Sequence, residues 1–223
     1  MSPRVSSNLI PGCRRAAILA ATVVLAVMLL AAPSEAQVGA GLADLNAVPE
    51  ATLAAMPGMT PANAKAFVAA RPFGTIVEAN AFLLGQKLTP EQLGLLYEKA
   101  FVHVNLNTAT APEVLLIPRI ARRMSHEFEE YRPWVSMAQF DKEIGKYVDA
   151  VEVNRLKQYV FIPLDLNTAT DDAFKTIPNL PAAMLHEFKE YRPWKTKAQF
   201  DKEIGKYVGP QETARLWRFM VIK

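Results

Sequence analysis

Cysteine is almost absent from this chain: the single one, Cys13, lies just ahead of an apolar run near the N-terminus. Beyond it no thiol remains for a disulfide or a thiolate metal site. There is no Ser/His/Asp set, no phosphate-binding Gly-Lys loop and no cysteine pair, so no catalytic constellation is legible. Neither an enzyme activity nor a cofactor nor a metal is expected. His126 and His186 each precede a glutamate, but no second histidine follows at helical spacing, which sets aside the zinc-protease pattern. His103 stands alone. Excess charge is lacking too. Without residues 1–36 the chain carries 22 basic and 21 acidic residues. Residues 37–101 hold 4 basic and 5 acidic side chains, 102–162 hold 8 and 8, and 163–223 hold 10 and 8. A nucleic-acid binder usually shows a stronger basic excess, although a local patch suffices.

What is present begins with an export signature over residues 1–36. Arg4, Arg14 and Arg15 precede the apolar run Ala16 to Ala32, and Ser34-Glu35-Ala36 then offers small residues at the positions a signal peptidase reads, before Gln37. The run also approaches spanning length, so an uncleaved inner-membrane anchor is the alternative. Cys13 precedes the run and is not placed for lipid attachment after cleavage. Export without disulfides suits a bacterial periplasm or the cell surface.

The remainder says the same thing repeatedly. Leu106-Asn107-Thr108-Ala109-Thr110 returns as Leu166 to Thr170, and His126 to Trp134 returns with one change as His186 to Trp194. Ala138 to Val148 returns letter for letter as Ala198 to Val208, always at a spacing of 60. An older copy lies upstream: Leu45-Asn46-Ala47, Met56-Pro57-Gly58-Met59 and Arg71-Pro72-Phe73 match the same landmarks. A fixed period marks one structural unit used several times. The units are 37–101, 102–162 and 163–223.

Copy two predicts four short helices in two hairpins. Asn107 or Thr110 caps the first, with Thr110-Ala111-Pro112-Glu113 fitting a capping box. The second covers about Arg122 to Tyr131, with Met124, Phe128 and Tyr131 on one face, and Arg132-Pro133 ends it. The third runs from Met137 to Ile144, and Asp149 caps the fourth, which ends near Gln158. Tyr159 to Leu164 is an apolar extended link. Phe73, Trp134 and Trp194 are expected in the core between hairpins, with Tyr131 and Tyr191 beside them.

The Leu-Asn-Thr-Ala-Thr opening, the apolar-Pro-Gly-apolar turn and the helix ending in Tyr-Arg resemble the tandem helix-hairpin-helix module, and among such proteins the ComEA competence family of exported DNA receptors. The resemblance covers nearly all of residues 42–223 and implies an all-α chain of three tandem (helix-hairpin-helix)2 modules, SAM-like four-helix repeats. It implies non-enzymatic, sequence-independent binding of the DNA phosphate backbone, linked to DNA uptake. Such hairpins read apolar-Gly-apolar-Gly: glycines let the backbone approach a phosphate, and the amides of the following helix point at it.

This chain departs from that pattern. Copy one keeps Gly58 before Met59-Thr60; copy two has Arg119-Ile120-Ala121; copy three has Asn179-Leu180-Pro181. The second hairpins read Lys87-Leu88-Thr89, Tyr147-Val148-Asp149 and Tyr207-Val208-Gly209. Asp149 puts a carboxylate where a phosphate would sit. The DNA-contacting candidates are Gly58, Thr60, Arg119, Arg122, Arg123, Asn179, Lys206 and Gly209, with Lys195, Lys197 and Lys202 nearby. The competing reading of these cations is solvated helix faces paired with Glu127, Glu130, Asp141 and Glu143. The competing reading of the whole is a periplasmic scaffold whose partner is an envelope protein; related modules occur in extrinsic photosystem subunits and secretion-system minor pilins.

Overall fold

The computed structural model describes Val38, Gly39 and residues 41–223. The signal or anchor expected over residues 1–36 lies outside the described residues. The chain is mostly helical. Among the described residues, no helix is long and apolar enough to cross a membrane.

The elements follow the sequence period. The first set is β1 (Ala43–Asp44), α1 (Glu50–Ala54), α2 (Pro61–Ala70), α3 (Ile76–Gly85), α4 (Pro90–Tyr97) and β2 (Ala100–Phe101). The second is β3 (Val104–Asn105), α5 (Ala111–Leu115), α6 (Arg123–Glu130), α7 (Met137–Ile144), α8 (Ala150–Lys157) and β4 (Val160–Phe161). The third is β5 (Leu164–Asp165), α9 (Asp171–Lys175), α10 (Met184–Glu190), α11 (Lys197–Trp217) and β6 (Met220–Val221). In each set the first and last strands pair in parallel, as β1–β2, β3–β4 and β5–β6.

Local chemistry starts the helices. Thr60, Thr89, Ser136, Thr170 and Thr196 each accept a hydrogen bond from a backbone N–H of the helix they open. Pro61, Pro90 and Pro112 stand in the first turn of theirs, where a missing N–H costs nothing. Thr110 N–H donates to Glu113 at 2.8 Å, as the capping box requires. Asn107 does not cap a helix. Its amide donates to the Trp134 carbonyl at 2.9 Å and accepts from the Trp134 N–H at 2.7 Å. Asn46 does the same for Phe73, and Asn167 for Trp194. Beside it, Arg132 donates to the Leu106 carbonyl and Arg192 to that of Leu166. The recurrent Leu-Asn and Arg-Pro-aromatic letters are thus two halves of one clip. It ties the opening strand to the turn in the middle of the set, where the Arg–Pro bond is cis in all three copies. The clip presents a buried aromatic side chain, Phe73, Trp134 or Trp194.

Only Val102-His103 and Ile162-Pro163 separate one set from the next. One apolar core runs without interruption from Leu42 to Ile162, and a second gathers Val38, Phe161 and the residues of copy three. Phe101 meets Tyr159 edge-on at 5.1 Å, and Phe161 meets Phe219 at 4.9 Å. Val38 bridges to Phe161. The copies form one packed body, not beads on a flexible string.

Candidate nucleic-acid interface

The turn after the first helix of each copy has the same backbone in all three. Gly58, Arg119 and Asn179 occupy the left-handed region, with φ of 74°, 59° and 52°. The apolar residue after each donates its N–H back across the turn, Met59 to Met56, Ile120 to Ile117 and Leu180 to Ile177. Copies two and three therefore keep the glycine-type turn without the glycine. For Arg119 that conformation costs about 1–2 kcal/mol, whereas asparagine tolerates it better.

A brace holds those turns, and its residues were not among the sequence candidates. Arg155 on α8 is paired with Glu152 and donates to the Pro118 carbonyl at 2.8 Å. Arg215 is paired with Glu212 and donates to the Pro178 carbonyl at 2.8 Å. Copy one has no such brace: its counterpart of Glu152 is Gln92, whose Cβ would lie 2.7 Å from any Cβ placed on Gly58. Glycine is needed there because α4 presses directly on the turn. The repeated Glu-x-x-Arg at a spacing of 60 was the signal for this brace.

The amides that would meet a phosphate are mostly engaged. Thr60 accepts from Asn63 N–H, Thr89 from Gln92 N–H, and Asp149 from Glu152 N–H at 2.9 Å. In copy three Pro181 supplies no amide, and Gly209, with φ of 75°, gives its carbonyl to Thr213. The first turns of α6 and α10 differ: neither Arg122 nor Ala183 at the N-cap makes a side-chain cap, and at α6 Arg122 and Arg123 are exposed.

Most candidate cations have acidic partners. Arg119 is exposed and reaches Glu98 at 3.6 Å. Arg123 donates to Glu127 at 2.9 Å and lies over the Tyr147 ring. Lys206 pairs with Glu203, Lys202 with the same carboxylate, and Lys197 with Asp201. Lys142 and Lys146 share Glu143, and Lys157 takes Asp141. Of the arginine cluster, Arg122 alone has a side chain with no ion pair among the described residues.

The turns of copies two and three also touch copy one. Arg119 reaches Glu98, and Asn179 donates its side-chain amide to the Ala47 carbonyl at 3.1 Å. Arg215 approaches Asp44 at 3.5 Å with both side chains buried. Arg218 donates to the carbonyls of Gly74 and His103. His103 is fully buried in this junction and pushed down to about 4, chiefly by desolvation. Its ring lies so close to Gly39 that a Cβ there would fall 2.1 Å from Nε2. Nothing in the spacing gives His103 a role; the tertiary arrangement does.

Comparison of the chain with protein-family models, with curated proteins and with solved structures finds no match.

Proposed function

We propose that this chain is an exported, non-enzymatic protein of three tandem (helix-hairpin-helix)2 modules, 37–101, 102–162 and 163–223, that binds the DNA phosphate backbone without reading sequence. Contact centres on one hairpin, between α5 and α6. The observation that carries this reading is the exposed first turn of α6. It lacks a side-chain cap, follows the left-handed Arg119 and is flanked by Arg122 and Arg123. A helix start flanked by cations attracts a phosphate through both dipole and charge. With one such hairpin the number of phosphates neutralised is small, so binding is modest and weakens quickly with salt. Removal of residues 1–36 during export delivers this surface to the periplasm or the cell exterior, where uptake or retention of free DNA is the matching task.

A second reading, a scaffold for an envelope protein, is favoured by a different observation. The turns of copies two and three are used to seat on copy one, through Arg119–Glu98, Asn179–Ala47 and Arg215–Asp44. Titration of the full chain with fluorescent duplex DNA at low salt and at about 150 mM salt separates the two. The DNA reading expects salt-weakened binding that ignores sequence, and a shallower salt slope for Arg122→Ala/Arg123→Ala. No binding at low salt would leave the scaffold reading standing.

A further inference from the structure

Copies two and three both carry His-Glu-Phe-x-Glu at the end of a helix, on α6 as His126, Glu127 and Glu130, and on α10 as His186, Glu187 and Glu190. The histidine and last glutamate meet in each, at 3.4 Å in copy two and 2.8 Å in copy three. The middle glutamate is buried in both. Its partner differs. In copy two Arg123 donates to Glu127 at 2.9 Å and neutralises it. The residue at the Arg123 position of copy three is Ala183. Glu187 consequently has no basic residue in ion-pair contact among the described residues; its Oε2, like that of Glu127, is buried without a hydrogen-bond partner. The Tyr207 hydroxyl beside this carboxylate pairs with the Tyr191 hydroxyl at 3.1 Å and supplies no positive charge. A buried carboxylate lacking a counter-charge calls for one.

The counter-charge has a place to bind. One ligand atom from each of His186, Glu187 and Glu190 lies within 4.8 Å of the others. Ligands at about 2 Å from one tetrahedral ion stand roughly 3.3 Å apart, so small rotations of His186 and Glu190 close the set. Both are exposed, leaving the approach open to solvent. The last turn of a helix also favours positive charge. We propose that His186, Glu187 and Glu190 form a site for a divalent ion of zinc type, open in copy three and closed in copy two by Arg123. One imidazole nitrogen and two carboxylate oxygens suit zinc with a remaining open position, and suit magnesium poorly. The pattern that excluded zinc in the sequence sought a second histidine; here Glu190 supplies the third donor.

The test is isothermal titration of the full chain, made without a histidine tag, with Zn²⁺ and separately with Mg²⁺. The expected result is one saturable Zn²⁺ per chain and no saturable Mg²⁺. Ala183→Arg, at an exposed position, installs the copy-two arrangement and is expected to lower Zn²⁺ affinity at least tenfold. Glu187→Gln is expected to do the same without adding a side chain. Arg123→Ala is expected to raise the stoichiometry from one to two. Absence of saturable Zn²⁺ binding, or unchanged affinity in both Ala183→Arg and Glu187→Gln, overturns the proposal. Far-ultraviolet circular dichroism on each variant separates loss of the site from loss of the fold.

Discussion

Residues 138–148 and 198–208 have identical letters but different backbones. In copy two the helix stops at Ile144, turns through Gly145 to Val148, and restarts at Ala150 with Asp149 as its cap at φ −73°. In copy three the helical turns continue past Gly205 and break only at Gly209, at φ 75° and ψ 171°, just before Pro210. The two letters after the shared run decide the outcome. Aspartate captures the Glu152 amide and fixes a new helix start, whereas glycine reaches a left-handed conformation that lets Pro210 open the next helix. Identity over eleven residues therefore did not fix local structure; the cap did.

The largest test of this contrast lies in the two braces. Arg155 and Arg215 make the same bonds to their own copies, but Arg215 is buried and also meets Asp44 of copy one. Arg215→Met is expected to cost about 3–5 kcal/mol, because it strands the buried Asp44 and leaves the half-buried Glu212 unpaired. Arg155→Met, at a partly exposed pair, is expected to cost about 1 kcal/mol. Urea denaturation of both variants measures the difference, and equal losses would mean that copy three is not keyed into copy one.

A middle-sized effect separates the two links between copies, where His103 corresponds to Pro163. His103 is held neutral, its value lowered from 6.5 to about 4. Below pH 6.5 the unfolded chain takes up a proton that the folded chain refuses until about pH 4. This residue's contribution is thus fully present above pH 6.5 and is lost as pH falls, by about 3 kcal/mol at pH 4. His103→Gln is expected to flatten that part of the stability curve, read from melting temperatures between pH 7 and 4. The smallest effect is at the second turns themselves. Gly209→Ala forces a Cβ into the left-handed region and is expected to cost about 1–2 kcal/mol. Asp149→Ala loses a cap worth about 1 kcal/mol.

Much of the helical order was legible. Met137–Ile144 forms one helix, Asp149 caps the next, and Thr110 to Glu113 closes its capping box, because periodicity and cap chemistry act within four residues. The clip between Asn107 and Trp134 was not legible, although both residues stood out, because it joins positions 27 apart. The six strands among the described residues, two residues each, carry too short a pattern to announce themselves. At the candidate interface, the loss of glycines was visible but the survival of the left-handed turn was not, since only φ reveals that Arg119 adopts it. The pairing of Arg119 with Glu98 joins two copies and leaves no trace in spacing.

The parallel pairing of first and last strands has a mechanical consequence. When a chain is stretched by its ends, the opening strand of each copy is drawn backward and the closing strand forward. Parallel neighbours then slide along one another, so their hydrogen bonds bear the load together instead of opening one after another. Three such catches follow in series, joined by links of two residues. Tension applied along this protein meets its short β-ladders in shear, before any helix is asked to unwind.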